Sequence, residues 1–573
     1  MTRYDSSLLH NGQIALRRQT IRQLLRSIFH VERLRGGQQQ VIDSVLDGKD
    51  TLAIMPTGSG KSLCYQVPAR VLGGLTVVIS PLISLMKDQQ DGLLALGVNA
   101  VLLNSTLSRD EEEAALAAIG NGCEILFCTP ERFTTAAFVD VLVQTRVTLV
   151  VIDEAHCISH WGHDFRPAYL QLAASINALG KPPVLALTAT ATDDVIRDIG
   201  KQLGRTRMNV INTGIYRQNL HYNVVQVTST HDKYQRALEL VRATEGVGII
   251  YAATVKAAEE MHAILQEAGE SVTLYHGKLA ARERKENQDA FMDGAARVMV
   301  ATNAFGMGID KSDTRFVVHL QVPPNLEAYY QESGRAGRDG LDATCTLLFL
   351  QDDKRIQQFF LAKHYPDVPE LAMVYETVRE LAEAGPVTFA QVDQLAQEYA
   401  TSKLKICMKM LKDGKLLKQN RKLEFTLTGK EPATAVLQEL ADVYALKQEH
   451  DKESLEAMVS YAVSGFCRWK VLLDHFSDEA PGFDKCCKCD NCRNPPVLAL
   501  TEEIPIRDDE FDHSPAPVAG PRFVIGDAVQ VPKYDAGEVA ALAGDQVTIA
   551  FPDGEKRTFM ADFVTVVPAP VHA

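Results

Sequence analysis

No apolar run in this 573-residue chain approaches the ~18 residues a bilayer span needs, which excludes a helical membrane protein. The first 30 residues lack an apolar signal core, so the expectation is a chain that stays in the cytoplasm. Evenly spread cysteines are also missing: of 11 in all, an odd count, four fall within residues 486–492. Such bunching argues against a disulfide framework and for metal ligation in a reducing compartment. Positive charge is short, with 59 Lys and Arg against 73 Asp and Glu, for a net charge of −14. That balance excludes a surface that coats polyanions everywhere, but it leaves room for a local basic patch. The rest is ordinary for folded protein, with 46% apolar and 23% charged residues. At ~150 residues per domain the length suggests three to five domains.

Between Asp50 and Leu350 short β-branched runs alternate with helix-like stretches. They lie at 76–80, 101–103, 124–128, 149–152 and 184–187; after a break near Met208 they resume at 247–251, 271–275, 297–301, 316–320 and 344–350. Nearly continuous apolar strands separated by helices imply parallel sheets covered on both faces. The restart favours two doubly wound α/β domains, residues 1–208 and 209–352, over one large domain. Beyond residue 365 the pattern predicts helices over 371–384, 389–399 and 402–411 and a hairpin over 414–428, a winged-helix arrangement spanning 366–430. Residues 401–422 hold eight Lys or Arg against one acid, Asp413. A solvated helix face is the bland reading; coverage of both the third helix and the wing favours a nucleic-acid surface that includes Lys403, Lys405, Lys409 and Arg421. A helical module follows over 431–493. Residues 494–521 carry six prolines and six acids with few large apolar groups and read as a linker, and 522–573 as a small SH3- or Tudor-like β-barrel.

Chemistry concentrates in a few segments. Met55-Pro56-Thr57-Gly58-Ser59-Gly60-Lys61-Ser62 follows an apolar strand and opens a helix, the setting in which backbone N–H groups surround phosphates. Lys61 would reach the β- and γ-phosphates and Ser62 would hold Mg²⁺. The full phosphate-loop pattern asks for glycine at position 55, where this chain has methionine, so a chance Gly-Ser turn is the alternative for the loop alone. A second segment answers it: the apolar run 149–152 ends in Asp153-Glu154-Ala155-His156. There Asp153 can hold Mg²⁺ and Glu154 can polarise the attacking water. In the second α/β block, Arg335 and Arg338 stand in the Gly-rich stretch 331–338 and would act as arginine fingers across a closing cleft. ATP with Mg²⁺, bound between two domains, is the layout of a motor.

Cys467, Cys486, Cys489 and Cys492 combine two tight spacings with one distant partner, which suits tetrahedral Zn²⁺ and leaves Cys487 spare. A redox CxxC is the alternative, but no thioredoxin-like βαβ unit surrounds it.

From about residue 20 to 350 the sequence resembles the RecQ family of DNA helicases. The resemblance rests on Arg35-Gly36-Gly37-Gln38, Ser80-Pro81-Leu82, Thr129-Pro130-Glu131-Arg132, Thr188-Ala189-Thr190-Ala191, Tyr275-His276-Gly277 and the stretch 301–310. Most telling is 157–166, which follows the acidic box and is similar to the family's aromatic-rich loop. The resemblance implies two RecA-like domains, a nucleotide site in which Arg35, Gln38, Thr57, Gly58, Ser59, Gly60, Lys61 and Ser62 take part, and adenine recognition by Gln38. It implies that the loop senses single-stranded DNA, a role that suits Trp161, Phe165 and Arg166, because aromatic faces stack bases of any sequence. It further implies 3′→5′ movement in recombination and repair, association with the nucleoid and a structural role for the zinc module. In typical members the winged helix follows the zinc module, whereas here its candidate comes first. The tail around 524–539 resembles the Tudor-like barrel that ends UvrD-type helicases, which implies docking of a protein such as RNA polymerase or a repair protein; a second nucleic-acid contact is the rival. An RNA-remodelling ATPase and an ATP-gated DNA-binding or annealing adaptor remain the alternatives to a helicase.

Overall fold

The computed structural model describes residues 5–104, 107–159, 166–305, 311–364, 366–396, 399, 401–420, 424–429, 434–478, 480, 482–495, 523–531, 536–543, 546–552, 554–560 and 564–566. The chain forms two compact units, Met1–Pro496 and Val497–Ala573. Among the described residues no helix is long and apolar enough to cross a membrane.

The first sheet holds β1 (Thr51–Ile54), β2 (Leu75–Ile79), β3 (Ala100–Leu103), β4 (Ile125–Cys128), β5 (Val147–Ile152), β6 (Val184–Thr188) and β7 (Asn209–Asn212), in the order β3-β4-β2-β5-β6-β1-β7. Every pair is parallel. Alternate side chains enter opposite cores: Leu52, Val77 and Val150 on one face, Ala53, Val78 and Leu149 on the other. Burial on both faces is why these strands read as continuous apolar runs. The sheet runs past the expected boundary at residue 208, because β7 pairs with β1.

The second sheet holds β8 (Leu220–Gln226), β9 (Val247–Tyr251), β10 (Val272–Tyr275), β11 (Val298–Ala301), β12 (Thr314–His319) and β13 (Ala343–Phe349), again all parallel, in the order β10-β11-β9-β12-β13-β8. Buried Lys233 and Asp353 tie its flanking helix to the turn after β13, with Nζ 2.7 Å from both carboxylate oxygens.

Three helices, Val368–Ala382, Phe389–Leu395 and Thr401–Asp413, precede the hairpin of β14 (Leu417–Gln419) and β15 (Phe425–Leu427). Asp367 and Thr388 begin the first two helices with capping boxes. Leu371, Val374, Leu404, Met408, Leu411 and Phe425 form their core. The winged-helix core extends past the expected border at residue 431 into the helix Thr434–Val463. Its start places Leu437 and Ala441 in the winged-helix core, while Leu455, Met458 and Tyr461 near its end enter the core under the second sheet. This helix also packs on Lys354–His364, so the winged helix is an insertion between two paired helices.

In the second unit β16 (Ala528–Gln530), β17 (Gly537–Ala543), β18 (Gln546–Ala550), β19 (Lys556–Met560) and β20 (Thr565–Val566) form an antiparallel sheet around Val529, Val539, Val547, Ile549 and Phe551. Nearly all of the expected linker lies outside the described residues.

Candidate functional site

Buried β1 delivers the chain to the loop 55–62, and the helix Leu63–Leu72 leaves it. Met55 directly follows the strand and continues its ladder: its N–H donates to the Thr188 carbonyl at 3.0 Å and its side chain is fully buried. The missing glycine therefore costs nothing here. Gly58 and Gly60 do need their residue type, with φ of 79° and 80°. A Cβ on Gly58 would lie 3.1 Å from Arg338 Cγ, and one on Gly60 would lie 2.6 Å from Gln38 Nε2.

The loop closes one wall of a cleft of about 570 Å³. Arg35, Gln38, Thr57, Gly58, Gly60, Lys61, Ser62, Asp153 and Glu154 from the first block line it together with Gln331, Arg335 and Arg338 from the second. Gln38 braces the loop: its Nε2 donates to the Ser59 and Gly60 carbonyls at 2.9 Å each, and its Oε1 accepts from Arg35 N–H at 2.7 Å. The Arg35 guanidinium donates to the Gly58 carbonyl. Lys61 donates to the Met55 carbonyl at 3.2 Å. Burial pushes its ammonium pKa down, and the nearby Glu154 and Asp153 carboxylates oppose that shift. Burial, followed by the Glu154 charge, pushes the Asp153 carboxyl up to about 7 against the pull of Lys61.

Glu154 takes a left-handed backbone conformation with φ of 49°, a strained choice for a residue with a side chain. Its carboxylate lies 3.4 Å from His156 Nδ1, which is 3.1 Å from Thr188 Oγ1. Thr188 in turn donates to the Thr190 carbonyl at 2.9 Å. The acidic box is thus wired to the segment after β6. Across the cleft the helix Leu326–Ser333 ends in the turn that carries Arg335 and Arg338. Among the described residues, Ser59 Oγ, Gln331 Nε2 and Arg335 Nε are buried without a hydrogen-bond partner. Donors of this kind around a lysine and two carboxylates fit a phosphate chain with a divalent cation.

Arg217 is a residue that sequence reasoning missed: its guanidinium donates to the carbonyls of Gly334, Ala336 and Gly337. No local motif marks it.

Trp161, Phe165 and Arg421 lie outside the described residues, as does the stretch 306–310. Arg166 is half-buried and donates through Nη1 to the Pro81 carbonyl at 3.4 Å. The basic helix is partly committed within the protein. Lys403 is ion-paired with Glu370, and Lys405 sits over the Phe389 ring at 5.6 Å. Lys409 is half-buried, while Lys412, Lys415 and Lys418 are exposed.

The Sγ atoms of Cys467, Cys486, Cys489 and Cys492 lie within 4.8 Å of one another. Backbone N–H groups of Cys486, Lys488, Cys489 and Arg468 point at these sulfurs at 3.2 to 3.4 Å, which favours thiolates. The donor set suits a tetrahedral zinc site. Cys487 is exposed and outside the cluster.

Three families match along the chain: DEAD/DEAH box helicase over 35–199, helicase conserved C-terminal domain over 232–340 and RecQ zinc-binding over 429–493. The ATP-dependent DNA helicase RecQ of Bacillus subtilis is 46% identical over 341 residues, which cover 59% of this chain and 57% of that protein. "Probable ATP-dependent DNA helicase RecS" of the same organism is 39% identical over 365 residues, 63% of this chain and 73% of that protein. The match thus spans little more than half of the first relative's length. Among solved structures, Mycobacterium smegmatis helicase Lhr bound to ssDNA and AMP-PNP aligns with a TM-score of 0.50 at 19% identity, covering 72% of this chain and 60% of that one, a likeness of fold.

Proposed function

The chain belongs to the RecQ family of ATP-dependent DNA helicases, and from that premise we propose that it hydrolyses ATP in the cleft between its two parallel sheets to separate DNA strands, moving 3′→5′. The observation that carries this reading is a single cleft lined by Lys61, Asp153 and Glu154 from one sheet and Arg335 and Arg338 from the other. A group shared in this way makes hydrolysis depend on how the two domains approach each other.

Lys61 meets the β- and γ-phosphates, and Gln38 recognises adenine from beside the loop it braces. Ser62 and Asp153 hold Mg²⁺, which when bound draws charge from the phosphate oxygens. Glu154 orients the attacking water. Arg335 and Arg338 reach the γ-phosphate and stabilise the charge that develops there. Trp161 and Phe165 stack on bases of the tracked strand, with Arg166 beside them. Lys405, Lys409 and Arg421 face the duplex, whereas Lys403 holds its helix to Glu370. Recombination and repair are the processes such a motor serves, and a DNA substrate would place it with the nucleoid. The Val497–Ala573 unit docks a protein partner, with RNA polymerase or a repair protein as candidates.

The deciding experiment measures ATP hydrolysis and strand separation on a duplex with a 3′ single-stranded tail, a matched 5′ tail and an RNA counterpart. Unwinding from the 3′ DNA tail alone is expected. Preference for RNA would overturn the substrate, and hydrolysis without separation on either tail would move the reading to an ATP-gated binding or annealing protein.

A further inference from the structure

Residues 215–226 form a strap that runs between the arginine turn and the zinc module. On its inner side Arg217 donates to the carbonyls of Gly334, Ala336 and Gly337 at 2.7, 2.8 and 2.6 Å. Two residues on, Asn219 Nδ2 donates to the carbonyls of Gly337 and Leu341 at 2.8 Å each. Tyr222 shares a 2.8 Å hydrogen bond with Ser333, and the Tyr330 hydroxyl donates to the Ile215 carbonyl at 2.7 Å. The carbonyls on either side of Arg335 are therefore occupied by one guanidinium, which does not itself line the nucleotide cleft.

On its outer side the strap is gripped from behind. Asp478 accepts the Ile215 N–H at 2.7 Å, Trp469 Nε1 donates to the Leu220 carbonyl at 3.0 Å, and Asp490 accepts the Val224 N–H at 2.9 Å. Lys488 Nζ reaches the Gln218 carbonyl at 3.2 Å.

We propose that Arg217 is a positioning residue for the arginine pair: by fixing three backbone carbonyls of the turn, it sets where Arg335 and Arg338 enter the cleft, and the strap that carries it is itself located by the zinc module. The proposal rests on the reading of Arg335 and Arg338 as the groups that meet the γ-phosphate. A planar guanidinium with several fixed donors can hold three acceptors at once, which a flexible ammonium cannot. Three bonds within four residues restrain both the rotation and the depth of the turn. A displacement of about 1 Å at a catalytic group costs on the order of 100-fold in rate. The bland alternative is a cap: Arg217 merely satisfies the carbonyls of the C-cap residue Gly334 and of the turn that follows the helix Leu326–Ser333. Positioning and capping differ in which parameter moves.

The test uses the full chain and measures single-stranded-DNA-stimulated ATP hydrolysis for the wild type, Arg217→Ala, the Arg335→Ala/Arg338→Ala variant and the triple variant that combines all three changes, with thermal unfolding beside each. Arg217→Ala is expected to lower kcat by about 10- to 100-fold while KM for ATP stays put. The triple variant is expected to be no slower than the Arg335→Ala/Arg338→Ala variant, because a lost positioning contact cannot hurt residues already removed. Full kcat in Arg217→Ala, or losses that multiply in the triple variant, would overturn the proposal; so would a lowered melting temperature with kcat intact. Should Arg217→Ala fail to fold, Arg217→Lys decides: an intermediate kcat with normal KM supports positioning, and wild-type kcat refutes it. A wild-type chain that hydrolyses no ATP sinks the underlying function instead, a result separate from either.

Discussion

Lys61 is a half-buried cation whose ammonium form is disfavoured by its surroundings and rescued by Glu154 and Asp153. Its charge is thus matched to two carboxylates until phosphates arrive. Lys61→Ala should lower ATP hydrolysis by at least 1,000-fold, on the scale of losing a principal phosphate contact. DNA binding and the melting temperature should persist, and fluorescence anisotropy beside a hydrolysis assay checks both. Loss of DNA binding as well would mean a folding defect rather than a catalytic one. Gln38 presents a sharper choice, because both ends of its amide are engaged by Arg35 and the loop carbonyls. One hydrogen bond to a base is worth about 1 kcal/mol, or roughly fivefold. Gln38→Ala should therefore erode ATP-over-GTP preference by about that factor, measured as the ratio of kcat/KM values. Equal losses for both nucleotides would show that Gln38 only braces the loop.

Strands and helices carry the next set of consequences. Lys233 and Asp353 are an ion pair that has left water, at 1% and 4% exposure. Burial lowers the pKa of Lys233 and raises that of Asp353, so each depends on the other to stay charged. Lys233→Met alone should cost about 3–5 kcal/mol by leaving a lone carboxylate buried, and the double change with Asp353→Leu should recover most of it. Denaturant unfolding of the three variants would show whether that recovery occurs. At this scale the sequence was most readable where strands are covered on both faces: β1, β2, β4, β6 and β11 are buried at every position. The two strands it did not disclose, β7 and β8, are both sheet edges. Asn209 and Asn212 bracket the first, and β8 mixes His221, Asn223 and Gln226 with its apolar residues, so neither shows a clean apolar run. The phosphate loop, acidic box and arginine turn were legible because each is contiguous, and the cysteine set because three of its four members are tightly spaced. Arg217 was not, since its three partners lie 117 to 120 residues away. Lys403 likewise read as surface charge, because Glu370 is 33 residues distant.

At the scale of the whole molecule, the cysteine module and the second sheet share one core. Tyr222, Val317, Cys345 and Leu347 pack in the same cluster as Met458, Tyr461, Trp469, Leu472 and Cys489. Trp469 joins them closely, edge-on to both Tyr216 and Tyr222 with ring centroids 5.0 Å apart. Among their described residues the short segments 464–493 include only the helices Arg468–His475 and Asp490–Arg493, too little regular structure to hold themselves. Four sulfurs within 4.8 Å cannot all be thiolates without a cation between them, so loss of zinc should open the module. Since the module backs the second sheet, the damage should spread. Chelation is expected to lower the melting temperature by several degrees, given about 2–4 °C per kcal/mol for a domain of 150–250 residues. New proteolytic cuts should fall within 464–493 and the strap 215–226, while the first sheet stays protected. Added Zn²⁺ should reverse both effects and Mg²⁺ should not. Unchanged melting and an unchanged cleavage pattern after verified zinc removal would return the cysteines to the redox alternative. In that case oxidation should instead produce an intramolecular disulfide, which mass spectrometry under non-reducing conditions would register as a loss of two hydrogens.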